Sequence, residues 1–387
     1  MLESFENIVM FNGSAWGYLW DRPRAIANEI SKSGKQVYFV ELMPFIRQSL
    51  SAGRRINFHS VQTQKVDNIN LITTPMSFPV RRPLENLLAY LNLNRGKYYC
   101  KYIMKKGYIP KKSICIIHNP LLWPMIKPIK DDFSLICYDN MDDWKGLETD
   151  VRKFGLDVEA LENDLVENSH IVFSVSSILD ERMKQKNNNS HLIPNGVDFD
   201  RFAQLEGKLS ILREEYRKPI IGFIGTIAEW IDLSLIEKVA KEILNATVLL
   251  VGPIHEDVTS LEKLPNVKFL GKVKYDEVPS YINLFDVCLN PFKKTDAGNA
   301  ADPIKLYEYL ALGKPVVSTN IPEAIKLKDV IYIADDEKEF VDKVKHALNY
   351  QTHEEVSRRK EIAKKNSWRK RSEDILSIIK DTLEGRL

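Results

Sequence analysis

The chain has 387 residues, enough for two domains of roughly 150–200 residues rather than one core. It is 44% hydrophobic with no run near the ~20 apolar residues that cross a bilayer, and MLESFENIVMF opens on acids rather than a signal peptide's positive charge, so a secreted or membrane-spanning protein is not expected. Net charge is only +2, yet residues 45–130 hold fifteen basic residues against two acidic ones, a local +13 that leaves −11 on the remainder; solubility does not require such one-sidedness, and an anionic partner does.

The first predicted strand, Ile8 to Phe11, ends in the turn Asn12-Gly13-Ser14. Asp21 as a cap and Pro23 in the first turn open a helix through Ile30, Gly34 closes it, and Gln36 to Val40 is the next strand: a βαβ start. Further strands are expected at 71–73, 114–117, 135–138, 171–175 and 191–193, separated by helical stretches. From about Asp200 to Lys218 the chain turns polar, then restarts with Pro219-Ile220-Ile221-Gly222-Phe223-Ile224-Gly225. Strands at 246–251, 267–270, 287–290, 315–318 and 330–333 follow. The class is therefore α/β, two doubly wound Rossmann-like domains, 1–205 and 206–366, with substrate expected in a cleft between them.

The stretch Asp302-Pro303-Ile304-Lys305-Leu306-Tyr307-Glu308-Tyr309-Leu310-Ala311-Leu312-Gly313 carries the most chemistry. It reads as a helix with Asp302 at the N-cap, Pro303 in the first turn and Gly313 past the end. Lys305 stands in the first turn, where the helix dipole disfavours a cation. A phosphate bound there, held by free N–H groups and the ammonium, reverses that penalty. Glu308 shares the face and has two oxygens for the two hydroxyls of a ribose.

The run from Pro303 to Ser318 resembles the donor-binding helix of GT-B glycosyltransferases, especially glycosyltransferase family 4 of the teichuronic acid type, with features of xanthan-type glucuronosyltransferases. Tyr138-Asp139-Asn140-Met141-Asp142-Asp143, Ile193-Pro194-Asn195-Gly196-Val197-Asp198, Gly222-Phe223-Ile224-Gly225-Thr226 and Phe269-Leu270-Gly271-Lys272-Val273 fit the same family in order, and Ser367-Trp368 precede a last helix (367–387) that in this fold crosses back onto the first domain. The resemblance implies a nucleotide-diphosphate sugar donor, UDP-linked or alternatively GDP-linked. Lys305 would meet the diphosphate and Glu308 the ribose, with Lys272 and Val273 flanking the base. Thr226 and Gly225 would approach phosphate, and Gly252-Pro253 the nucleotide backbone. Two departures stand out: Ala300 where the family commonly has a second Glu, and no basic pair in Thr226 to Asp232, which leaves Lys305 more of the neutralisation.

For an inverting reaction Asp142 is the candidate base, with Asp139 and Asp143 as rivals; three carboxylates in five residues repel and raise a pKa. For a retaining one Asp142 would orient sugar or acceptor. Gly13, Arg22 and Arg24 are expected on the acceptor side, with surface pairing to Glu29 and its neighbours the alternative for the two arginines. Neither outcome needs a divalent metal, and the scattered Cys100, Cys115, Cys137 and Cys288 suggest neither a zinc site nor disulfides. In the basic segment, aromatics from Phe45 to Tyr108 alternate with the cations, the composition of a surface that meets anionic lipid. The function expected is sugar transfer to a saccharide or lipid-linked saccharide diphosphate, in surface polysaccharide assembly, at the cytoplasmic face of the membrane. A nucleotide-sugar epimerase of the same fold, a catalytically inactive scaffold of that fold and a nucleic-acid binder are the alternatives; no nucleic-acid motif and no G-x-G-x-x-G appears.

Overall fold

A computed structural model of the chain describes residues 5–18, 20–78, 85–145, 157–203 and 216–385. The chain divides into two compact units, Met1–Pro194 with Arg371–Leu387, and Asn195–Lys370. The sequence-based boundary near residue 205 lies outside the described residues, as do Arg81 and Arg82.

The first unit holds an eight-stranded sheet. Its strands are β1 (Asn7–Asn12), β2 (Gln36–Glu41), β3 (Gln62–Val66), β4 (Ile69–Thr73), β5 (Ile114–Ile117), β6 (Leu135–Asn140), β7 (Ile171–Ser174) and β8 (Ser190–Leu192), in the order β3-β4-β2-β1-β5-β6-β7-β8. All neighbours are parallel except β3 on β4. Buried parallel strands are covered on both faces, which is why β1, β5 and β6 are legible as unbroken apolar runs. The antiparallel edge strand β3 is not: Gln-Thr-Gln-Lys-Val is exposed almost throughout, a polar edge that discourages pairing with other chains. The C-terminal helix Trp368–Leu383 buries Ile375 and Ile379, and Asn189 Nδ2 donates to Thr382 Oγ1 at 3.4 Å.

The second unit holds β9 (Ile220–Ile224), β10 (Thr247–Val251), β11 (Val267–Gly271), β12 (Val287–Asn290), β13 (Val316–Thr319) and β14 (Tyr332–Ala334), wholly parallel, in the order β11-β10-β9-β12-β13-β14. Renumbered from its own first strand this is 3-2-1-4-5-6, the Rossmann order, whose direction reverses between β9 and β12. Gly222 lets the Phe285 ring lie on β9, since a Cβ there would fall 2.0 Å from it.

Two expectations need correction. Pro303, not Asp302, occupies the N-cap of helix Ile304–Ala311 and gives it no side-chain cap. Asp302 instead accepts Asn195 N at 2.5 Å and the Tyr307 hydroxyl at 3.1 Å, while Asn195 Nδ2 donates to the Asp302 carbonyl at 2.7 Å. A long-range pair takes the carboxylate that local spacing assigned to the cap. Gly313 does follow the helix in the left-handed region, at φ 69°.

Candidate active site

In the second unit the site grows from the carboxyl ends of β9 and β12, the switch point where open α/β sheets bind ligands. β9 runs into Gly225-Thr226. Gly225 and Gly252 have φ of 137° and 143°, and a Cβ on Gly252 would lie 1.9 Å from the Gly225 carbonyl oxygen. Gly225 N donates to Val251 O at 2.9 Å and Gly252 N to Gly271 O at 2.8 Å, so the ends of β9, β10 and β11 are laced into one rim. The two glycines are demanded by this contact itself.

Lys305 reaches that rim from the first turn of its helix. Its Nζ lies 4.6 Å from the Phe292 ring centre and 5.3 Å from that of Phe223, and its Cε is 3.0 Å from where a Gly225 Cβ would stand. Among the described residues the ammonium has aromatic faces beside it but neither a hydrogen bond nor an ion pair. Loss of hydration lowers its pKa to about 8, with the Glu308 charge opposing. Glu308, buried one turn on, is pushed up to about 7 by burial, against the Tyr275 hydroxyl and Lys305. Thr226 is half-buried beside Gly225; Lys272 is exposed, Val273 packs against the core's edge, and Pro253 accepts Ile227 N at 2.9 Å. Ala300, in the helix Asp296–Ala300, is buried.

In the first unit the carboxyl ends of β1, β5 and β6 carry a second polar cluster. Asp139 accepts from Arg22 Nε at 3.0 Å and Nη2 at 2.9 Å, and its Oδ2 lies 3.0 Å from His118 Nδ1; all three side chains are buried. Arg22 and His118 hold the Asp139 carboxyl far below the usual carboxylate range despite burial. The contact with Asp139 fixes the His118 ring through Nδ1, while Nε2 is buried and without a hydrogen bond among the described residues. Arg22 Nη1 also donates to Pro194 O at 3.1 Å. Arg24 is equally buried, with Nη2 donating to Ala15 O. Both arginines, expected to face an acceptor, are thus committed inward. Gly13 sits half-buried in the turn after β1.

The three carboxylates therefore separate by environment. Asp139 belongs to Arg22 and His118. Asp143 pairs with Arg182 Nη1 at 3.0 Å. Asp142, between them, has no hydrogen-bond or ion-pair partner among the described residues for its carboxylate. As a residue Asp142 is exposed, yet lost hydration at its carboxyl, then the charges of Asp21 and Asp143, push it up to about 7. Asp21, whose Oδ1 accepts Arg24 N at 3.3 Å, is itself raised by burial, opposed by Arg24 and His118. Sequence reasoning missed His118 as a functional residue. Its one clue was a polar residue directly after the apolar run Ile114–Ile117.

Removing Arg22 would leave a buried carboxylate uncompensated, so Arg22→Met is expected to cost about 3–5 kcal/mol in urea unfolding. A loss under about 1 kcal/mol would show that Asp139 finds other charge compensation. Because pairing depresses Asp139, its contribution is present above the ordinary carboxylate range and is lost as pH falls through the lowered value.

The family described as glycosyl transferases group 1 matches residues 218–350, which contain β9 to β14, Lys305 and Glu308. Residues 218–350 form a glycosyl transferases group 1 domain. A Bacillus subtilis (strain 168) protein, TuaH, assigned to teichuronic acid biosynthesis as a glycosyltransferase, is 34% identical over 155 residues. The match spans 39% of this chain and 39% of that relative. Solved structures align over nearly the whole length. Sucrose-phosphate synthase of Thermosynechococcus elongatus has a TM-score of 0.67 at 13% identity, covering 98% of this chain and 100% of that one. A trehalose-6-phosphate structure from E. coli, bound with UDP-2-fluoro glucose, has 0.71 at 12% identity, covering 98% and 99%. Anabaena HepE in complex with UDP-glucose has 0.64 at 13%, covering 97% and 99%. The fold is GT-B, with Rossmann-like units in both halves.

Proposed function

We propose that the chain transfers a sugar from a nucleotide-diphosphate donor to a saccharide acceptor, a UDP-sugar being the donor and surface polysaccharide assembly the setting. The observation that carries this is Lys305, an ammonium without a hydrogen-bond or ion-pair partner among the described residues, at the switch point of a Rossmann sheet and one turn ahead of a buried carboxylate. UDP-glucose in the HepE complex and the assignment of TuaH support the donor class and the setting. The acceptor we infer is a saccharide, carried on a lipid diphosphate at the cytoplasmic face of the membrane.

The roles follow. As the acceptor oxygen bonds to the anomeric carbon, the bond from that carbon to the donor diphosphate breaks and its electron pair leaves with the phosphate. Lys305, the free N–H groups of helix Ile304–Ala311 and Thr226 would receive that charge without a metal. Glu308 would accept from the ribose hydroxyls, and Lys272, Val273, Gly252 and Pro253 would border the nucleotide. Asp142 would take the acceptor proton. Asp139 would orient the His118 ring through Nδ1, with Nε2 offered to a sugar hydroxyl.

Screening sugar nucleotides by thermal shift tests the donor; incubation with the donor alone separates transfer from epimerisation, which would convert the sugar without an acceptor. Donor affinity is also expected to be bell-shaped in pH. It should rise through about 7 as Glu308 loses its proton, and fall above about 8 as Lys305 loses its own. Titration calorimetry with UDP from pH 6 to 9 would reveal it, and a flat profile would remove this pair from the nucleotide site.

A further inference from the structure

The 21-residue helix Glu85–Lys105 turns the wrong face to water. Its exposed stripe runs Leu87, Tyr90, Leu91, Asn94, Tyr98 and Lys101 at helical spacing of three and four. Leu87 is 52% exposed, Tyr90 63%, Leu91 39% and Tyr98 59%. The opposite face is also apolar: Cys100, Ile103 and Met104 are buried, and Gly96 makes room for the Met125 side chain. The apolar part of the stripe, twelve residues from Leu87 to Tyr98, spans about 16 Å. Seven of the eleven exposed large hydrophobic side chains described lie between Phe45 and Tyr98, so the exposure is concentrated rather than scattered.

Charge says what meets it. Part of the segment's positive charge is answered within the fold: Arg54 by Glu41, Lys111 by Asp132 at 3.0 Å, Lys127 by Asp164 at 2.7 Å, and Arg95 by the Met76 and Phe58 carbonyls. Lys97, Lys101 and Lys105 are answered by nothing among the described residues, and no acid stands on the stripe from Leu87 to Lys105. A second copy of the chain docked symmetrically here would set the lysines of one stripe against those of the other with no acid between them. An anionic bilayer fits both halves: apolar and tyrosine side chains for the headgroup layer, lysines for lipid phosphates.

We infer that this stripe of helix Glu85–Lys105 seats the first unit on an anionic lipid surface, with Leu87, Tyr90, Leu91 and Tyr98 entering the interface and Lys97, Lys101 and Lys105 pairing with phosphate. The inference rests on the membrane location in the reading above and is independent of its sugar chemistry. The test is co-sedimentation of the full chain with phosphatidylcholine vesicles, with and without phosphatidylglycerol. The wild type is expected to sediment only with the anionic vesicles. Lys101→Glu/Lys105→Glu should lower that partition about thirty-fold or more, at roughly a kcal/mol per lysine, and Tyr90→Ser/Tyr98→Ser about ten-fold. Both variants should keep the wild-type melting temperature and the donor-induced shift. Equal sedimentation with neutral vesicles, no sedimentation with either, or a dimer that Tyr90→Ser/Tyr98→Ser dissociates would overturn it. Loss of the donor shift in the wild type would instead count against the nucleotide-sugar reading and leave this one standing.

Discussion

Replacing Lys305 with alanine is expected to abolish the melting-temperature shift caused by the sugar nucleotide and to lower transfer about 10²–10³-fold, as removal of one preorganised charge-stabilising group does elsewhere. The sign of the effect on the free protein makes this diagnostic. Lys305 has no ion pair to lose, and the surrounding protein already penalises its charge. The variant should therefore unfold at the wild-type temperature or slightly above it. A lysine present for stability would give the opposite: a lower melting temperature with donor binding intact. Lys305→Arg is not expected to rescue fully, because a planar fork does not occupy the space of a compact ammonium between Phe223 and Phe292. Wild-type donor binding by Lys305→Ala would remove the diphosphate assignment, and the enzyme reading with it.

What could be read in the sequence divides along sequence separation. Lys305 and Glu308 lie on one short helix, so helical geometry alone places them on one face, and the following Gly313 and β13 keep that reading in register. The buried parallel strands were equally legible, because burial on both faces writes itself as continuous apolar runs. The edge strand β3 was not, since exposure leaves no apolar trace in Gln62–Val66. Contacts across the fold were hidden for a different reason. Arg22 and Asp139 are 117 residues apart, and His118 joins them only because β5 and β6 are neighbours in the sheet. Asp302 shows the same limit in reverse: its spacing from the helix was right for a cap, and Asn195, 107 residues away, took it instead. The three-carboxylate run from Asp139 to Asp143 was visible, but which member stays unpaired depends on Arg22, His118 and Arg182, and no local rule supplies those.

That separation of roles makes Asp142→Asn the second decisive substitution. Transfer is expected to fall about 10²–10⁴-fold, the range for loss of a general base, while the donor-induced thermal shift persists because no nucleotide contact is assigned to the first unit. In the wild type, kcat/KM should rise with pH through about 7, as Asp142 gives up its proton. The asparagine variant should lose that limb and leave a residual rate that does not follow it. Asp143→Asn provides the contrast: it breaks the pair between the buried Asp143 and the half-buried Arg182 and should cost far less activity, with the pH limb retained and moved slightly downward, because one of the two negative charges that raise Asp142 is gone. An Asp142→Asn enzyme at the wild-type rate would mean that the acceptor proton leaves by another route. His118 Nε2, buried and unbonded among the described residues, would be the first place to look for it.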